Sequence, residues 1–196
     1  MRMNLPNRLT CSRFALTGAF VGVLSARWPF ANCTALLLFA LAGLTDYLDG
    51  SIARSRNLVT DFGKLMDPLA DKIMMAAAFI LLVPEYAFPA WVAVAIVARE
   101  FAITGLRLLA ASKGIVLPAE KLGKHKTAWQ IVCVVFFLLL LALAELERAG
   151  LLTGLVYWWG YAWIYAGRAL IATVLILTLY SGLRYLWNHR DLFTAK

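Results

Sequence analysis

Six long apolar segments dominate this chain and leave few folds open to it. They run roughly from Leu9 to Arg27, Phe30 to Tyr47, Leu65 to Val83, Ala90 to Ala111, Ala128 to Leu146 and Leu155 to Leu186. A helix needs about 20 mostly apolar residues to cross a bilayer, and each segment is near or above that length. Hydrophobic residues make up 62% of the 196 and charged ones 15%, against roughly a quarter charged in ordinary soluble domains. A soluble fold of this composition would expose apolar surface that it has too few polar side chains to cover. Lipid solvates such surface instead. The expected architecture is all-α: an integral membrane protein of six transmembrane helices, with residues 1–8 as a short N-terminal surface segment. Breakers divide the segments at Trp28-Pro29, at Pro84 to Pro89, at Lys113 to Lys126 and at Glu145 to Gly154. With no internal repeat and no low-complexity tract, residues 1–196 read as a single membrane domain.

The formal net charge is +8. A basic chain suits nucleic acid or an anionic membrane, but here the basic residues lie between apolar runs, which is a topology signal and argues against nucleic acid. Six spans put both termini on one side. Arg27 and Arg148 fall in the opposite loops, Arg99, Arg107 and Arg168 fall within helices, and the rest of the 19 Lys and Arg fall on the termini side. By the positive-inside rule that side is cytoplasmic, as expected for a multi-pass protein of the cell inner (cytoplasmic) membrane. Arg2, Arg8 and Arg13 before the run Phe14 to Ala26 mimic a secretory signal. Because more membrane segment follows, the run reads as the first spanning helix. The aromatic cluster from Tyr157 to Tyr165 suits either an interfacial belt or plain packing. Cys11, Cys33 and Cys133 are far apart with no C-x-x-C spacing, so neither thiolate metal binding nor a disulfide framework is expected. They read as three buried small residues.

Acidic residues are scarce, eleven in all, yet Asp46, Asp49, Asp61, Asp67 and Asp71 crowd into one stretch. In an apolar chain that clustering is costly unless something compensates it. Asp46 and Asp49 are three apart and Asp67 and Asp71 four apart, so a helix puts each pair on one face. A short polar connection between the two helices makes them antiparallel and brings the four carboxylates together near the cytoplasmic surface. Oxygen donors in that number suit hard divalent cations, Mg²⁺ or Mn²⁺, and two such ions about 3.5–4 Å apart clamp a reacting phosphoryl group. Gly50 and Ala53 follow on the Asp46 face and leave room for a ligand near the backbone. Arg54 and Lys64 add positive charge beside it, and Thr60 adds a polar group in the connection.

Residues 46–71 match, at every position, the pattern D-x2-D-G-x2-A-R-x8-G-x3-D-x3-D, and in this the chain resembles the CDP-alcohol phosphotransferase family. The resemblance implies that Asp46, Asp49, Asp67 and Asp71 bind two metal ions and that Asp71 takes the proton of the acceptor hydroxyl. It implies that Gly50, Ala53, Arg54, Thr60 and Gly63 hold the CDP group, that Asn7, Thr10 and Arg13 contribute to the nucleotide site from the N-terminal side, and that the protein is a homodimer.

The acceptor alcohol must be read elsewhere. Arg99 and Arg107 lie in an otherwise apolar fourth helix, where charges usually face a cavity or a partner, and Glu100 is a ready partner for one of them. Lys121, Lys124, His125 and Lys126 precede the fifth segment, where cations oppose the helix dipole unless an anion binds. A phosphorylated acceptor fits such a pocket. The run from Gly63 to Lys72, with Ala98-Arg99-Glu100, Arg107 and Gly123 to Thr127, resembles bacterial phosphatidylglycerophosphate synthases, with Met66 where Leu is commoner in that group. This resemblance implies CDP-diacylglycerol and sn-glycerol 3-phosphate as substrates, with Arg107, Lys124 and Lys126 on the acceptor phosphate and Arg99 beside them. Two other readings stay open on the residues alone. One is the same chemistry on inositol, inositol phosphate or serine. The other is a divalent-cation transporter, although that function would spread its carboxylates over several helices near the bilayer midplane.

Overall fold

A computed structural model describes residues 5–26, 28–56, 61–84, 89–115, 117, 121–152, 154 and 160–190; at 5–9, 47–56, 61–65, 67–68, 121–122 and 124 the description is of the backbone. Among these residues the structure is all-helical, with α1 Leu5–Ala26, α2 Ala31–Arg56, α3 Asp61–Leu82, α4 Ala90–Ser112, α5 Lys121–Arg148 and α6 Gly160–Asn188. The order matches the six expected segments, but most bounds move outward. Residues 5–8, expected in a surface segment, are continuous with α1, where Pro6 sits in the first turn and costs no intrahelical hydrogen bond. α2 runs on past Tyr47 to carry Asp46, Asp49, Gly50, Ala53 and Arg54 on one helix. α5 starts seven residues before Ala128, so Lys124 and Lys126 lie in its first two turns.

His125–Arg148 and Gly160–Asn188 are long and apolar enough to cross a bilayer. Large apolar side chains such as Leu37, Leu44, Ile80, Trp91, Val94, Ile176 and Leu183 are exposed, whereas Ala31, Ala35, Ala42, Ala70, Ala78 and Ala93 are buried. Small residues at helix contacts with large apolar ones facing outward is the pattern of helices packed in lipid, consistent with a membrane protein. Tyr161 and Tyr165 are among the most exposed side chains, which favours an interfacial belt over packing for that part of the aromatic cluster. Cys133 is buried as expected, but Cys11 is exposed and Cys33 half-buried. Position 11 follows the inward-facing Thr10 and falls off its stripe.

The chain divides into two compact units, one of residues 1–82 and 135–160, the other of 83–134 and 161–196. In the first, α1 packs on both α2 and α3. The buried stripe of α1 is Thr10, Arg13, Thr17 and Phe20; that of α2 is Ala31, Ala35, Phe39 and Ala42; that of α3 is Ala70, Met74, Ala78 and Leu82. Each repeats at three or four residues, as one face of a helix does. The Phe20 and Phe39 rings lie 6.2 Å apart, and further along Arg13 meets Asp46, so α1 and α2 run antiparallel. In the second unit the buried stripe of α4 is Val92, Ile96, Ile103, Leu106 and Ala110, and Tyr185 of α6 packs on Ile103 and Leu106.

Two helix stops are chemical. After α4, Gly114 N–H donates to Ala111 O and Ile115 N–H to Ala110 O; after α5, Gly150 N–H donates to Glu147 O and Leu151 N–H to Leu146 O. Both glycines have φ of 74°, the left-handed cap that a Cβ disfavours.

The start of α2 is unusual. Pro29 and Phe30 form the turn closed by Ala31 N–H to Trp28 O, and Phe30 sits at φ 63°, which is uncommon for a non-glycine residue. Phe30 has no side-chain oxygen to cap the helix. The Glu145 carboxylate does it instead: Oε2 accepts the N–H groups of Asn32 and Cys33, each at 3.1 Å, and Oε1 accepts Asn32 Nδ2 at 3.3 Å. A carboxylate at a helix N-terminus also answers the dipole. Glu145→Ala is expected to cost about 1–2 kcal/mol, read as a drop of a few degrees in the thermal unfolding midpoint in detergent. Glu145→Gln, which keeps one acceptor oxygen, should lie between that variant and wild type.

Candidate active site

The inward stripes of α1, α2 and α3 change from apolar to polar at one end. On α1 Phe20 gives way to Thr17, Arg13 and Thr10; on α2 the stripe Phe39, Ala42 continues to Asp46; on α3 Met74 and Ala70 lead back to Asp71. Thr10 and Arg13 are buried. The Arg13 side chain, 5% exposed, bridges two helices: Nη1 lies 2.8 Å from Asp46 Oδ1, and Nη2 pairs with Asp71 Oδ1. The two carboxylates are 47% and 60% exposed. One guanidinium thus gathers two of the four expected carboxylates, one from each helix. Thr17 Oγ1 donates to the Arg13 carbonyl at 2.8 Å, a local bond that leaves the side chain to its carboxylate partners.

The expected residues distribute as follows. Asp49, Gly50, Ala53 and Arg54 lie on α2, Gly63 and Asp67 on α3, Asn7 on α1 and Lys124 on α5, all within the stretches described by backbone. Thr60 lies outside the described residues. Asp46 and Asp71 together form an oxygen-donor pair, open to solvent and already facing one cation. Hard ligands of this kind fit a hard divalent ion.

The second unit holds a separate polar cluster. On α4, Arg99 interrupts the apolar stripe between Ile96 and Ile103. Its Nη2 donates to Ser181 Oγ at 3.1 Å and its Nη1 to Glu100 Oε1 at 3.3 Å. Arg99 Nε is buried without a hydrogen-bond partner among the described residues. Lys126, buried, pairs with the same Glu100 oxygen. Arg107 Nε donates to Tyr185 Oη at 3.3 Å, and its guanidinium carbon lies 5.9 Å from the centre of that ring. Gln130 Nε2 donates to Thr178 Oγ1 at 3.4 Å, and Ser181 Oγ to Thr178 O at 3.2 Å.

Among the described residues this cluster sets three cations, Arg99, Arg107 and Lys126, beside the Glu100 carboxylate, a set that suits an anion. The structure brings Arg99, Arg107 and Lys126 into one unit, and Glu100 serves both Arg99 and Lys126. The contribution of α6 escaped sequence reasoning. Ser181, Thr178 and Tyr185 are uncharged, but they fall on one helical stripe that is polar inside an apolar helix, and that was the available signal. Gly182 belongs with them: a Cβ there would lie 2.8 Å from Arg99 Cγ, closer than packed atoms approach, so the absent side chain makes room for the Arg99 stem.

Comparison with known proteins places the chain in a family. Residues 3–179 match the family described as CDP-alcohol phosphatidyltransferase. A relative from Bacillus subtilis (strain 168), named CDP-diacylglycerol–glycerol-3-phosphate 3-phosphatidyltransferase, is 45% identical over 148 residues, covering 69% of this chain and 77% of its own. A protein of the same name from Salmonella typhimurium is 34% identical over 192 residues, covering 95% and 94%. Another from Rickettsia bellii is 40% identical over 128 residues, covering 65% and 71%. The signature on α2 and α3, the paired carboxylates and the near-complete match make this chain a member of the CDP-alcohol phosphatidyltransferase family.

Proposed function

We propose that this enzyme transfers the phosphatidyl group of CDP-diacylglycerol to sn-glycerol 3-phosphate, giving phosphatidylglycerophosphate and CMP; the names of its relatives give the same donor, acceptor and kind of transfer for them. The observation that carries the reading is that the chain holds two polar centres of opposite charge, one in each compact unit: a carboxylate centre at Asp46 and Asp71, and a cationic cluster of Arg99, Arg107 and Lys126. The first suits a metal-assisted phosphoryl transfer, and the second an acceptor that is itself an anion. Inositol carries no charge and serine only a singly charged carboxylate, whereas a phosphate brings the higher negative charge and the paired oxygens that such a cluster suits.

Two divalent ions, Mg²⁺ or Mn²⁺, held by Asp46, Asp49, Asp67 and Asp71, would neutralise charge on the pyrophosphate. Gly50, Ala53, Arg54, Thr60 and Gly63, with Asn7, Thr10 and Arg13, bind the CDP group. Arg107, Lys124 and Lys126, with Arg99, bind the acceptor phosphate. Asp71 takes the proton of the acceptor hydroxyl as its oxygen bonds to the phosphatidyl phosphorus. The bond from that phosphorus to the bridging oxygen breaks, and CMP leaves with its phosphate beside Arg54. Most of the rate enhancement comes from positioning and charge stabilisation, as in phosphoryl transfer generally.

The reading extends to a single domain of six transmembrane helices in the cell inner membrane, with both termini and the active site cytoplasmic, working as a homodimer. The family match over residues 3–179 and the distribution of basic residues support it.

The test is a radiolabel assay on purified protein in detergent with CDP-diacylglycerol, Mg²⁺ or Mn²⁺, and labelled sn-glycerol 3-phosphate, run beside inositol, inositol phosphate and serine. Labelled lipid from glycerol 3-phosphate alone is expected. Label from another alcohol would overturn the acceptor and keep the chemistry.

A further inference from the structure

Arg13 holds one oxygen of each of two carboxylates to which the proposed reaction gives other work. Its Nη2 pairs with Asp71 Oδ1, on the residue that must receive a proton, and its Nη1 lies 2.8 Å from Asp46 Oδ1. A carboxylate lone pair aimed at a guanidinium is not aimed at a metal ion or at a hydroxyl proton. The fit is also incomplete: Nη1 is buried but lies off the line of a hydrogen bond, so it pairs by charge alone. The backbone of Arg13 is fixed in the middle turns of α1, where Thr17 caps its carbonyl. Any change of partner therefore runs through the rotatable bonds of the long side chain. The carboxylates are 47% and 60% exposed, against 5% for the Arg13 side chain.

We propose that Arg13 is an exchange residue that holds Asp46 and Asp71 together before substrate arrives and passes to the nucleotide's diphosphate when it binds, so that nucleotide binding and divalent-cation binding strengthen each other. The inference rests on the metal and nucleotide sites proposed above and adds a coupling between them. Before exchange, the guanidinium competes with a cation for the same oxygens. A diphosphate is the better partner for a planar fork, offering paired oxygens of higher charge. Its arrival removes the competing cation from the carboxylates and frees Asp71 Oδ1 for the acceptor proton. Linkage then requires equal coupling in both directions. Arg13 is a positioning residue here, acting through Asp46 and Asp71.

The test is Mn²⁺ binding to the full chain in detergent, followed by electron paramagnetic resonance at buffered free Mn²⁺, with and without CDP. CDP is expected to tighten Mn²⁺ binding to wild type by about tenfold or more, a coupling of ordinary size between sites. Arg13→Gln removes a positive charge within contact distance of two carboxylates, so Mn²⁺ should bind without CDP about tenfold more tightly than to wild type. The gain on adding CDP should fall below about threefold. Arg13→Lys keeps a point charge that cannot bridge both oxygens and should shift in the same direction by at least about threefold, which preserves the test should the Gln variant fail to fold. A merely structural Arg13 would weaken Mn²⁺ binding in both variants, and that result overturns the proposal. Asp46→Asn separates the two layers. If it loses Mn²⁺ binding while both Arg13 variants match wild type with and without CDP, the exchange alone is wrong. If it binds Mn²⁺ as wild type does, the metal site fails and the exchange with it.

Discussion

Asp71→Asn is expected to lower turnover by at least about a thousandfold while leaving the thermal midpoint within a few degrees of wild type. A positioned general base contributes about 10²–10⁴, and the substitution also removes a negative charge from the carboxylate centre. The isosteric amide keeps an oxygen for Arg13, and the side chain is 60% exposed, so little folding energy is at stake. Arg13 also keeps its pairing with Asp46 across α1 and α2. The measurement is single-turnover transfer of labelled glycerol 3-phosphate beside a melting curve in the same detergent. A structural role for Asp71 would show the opposite pattern, a lowered midpoint with turnover reduced only in proportion. Turnover within tenfold of wild type would remove Asp71 from the chemistry.

The second large effect is expected at Arg107. Its described contacts are to Tyr185, an uncharged phenol, whereas Arg99 and Lys126 share the Glu100 carboxylate. A cation facing a neutral group keeps more of its charge for a ligand, and among the described residues its removal leaves no acid unpaired. Arg107→Met should therefore raise the KM for glycerol 3-phosphate by about 10–100-fold, the value of one or two charge-assisted hydrogen bonds. The KM for CDP-diacylglycerol should move less than about twofold, because the substitution touches uniform binding of one substrate only. Arg168→Met serves as control, since Arg168 is a helical cation with an exposed side chain and should change neither constant. Equal shifts in both KM values would place Arg107 outside the acceptor pocket.

Most of the helices were legible before any coordinates, because bilayer thickness imposes a length on apolar segments that local sequence cannot hide. Their ends were less so. The polar residues at the start of α5 read as a connection by composition, yet they continue the helix, since helix geometry persists wherever the backbone hydrogen bonds go on being made, and the apolar run that marks α2 stops at Tyr47 although the helix carries its spaced carboxylates on to Arg56. The cap at Asn32 and Cys33 could not be read locally at all, because its acceptor, Glu145, is more than a hundred residues away.

The site divides in the same way. The sequence by itself determined which groups exist: spacings of three and four along a helix oblige Asp46 with Asp49, and Asp67 with Asp71, to share a face, and the long signature assigns the family. Tertiary structure alone decided which groups meet. Arg13, read from sequence as a nucleotide contact, turns inward between α2 and α3 and joins Asp46 to Asp71, and uncharged Ser181, Gly182 and Tyr185 prove to be the wall against which Arg99 and Arg107 are set. Helical periodicity fixes a side chain's direction about its own axis, but the neighbour it meets depends on how helices distant in sequence pack, and no local rule carries that information.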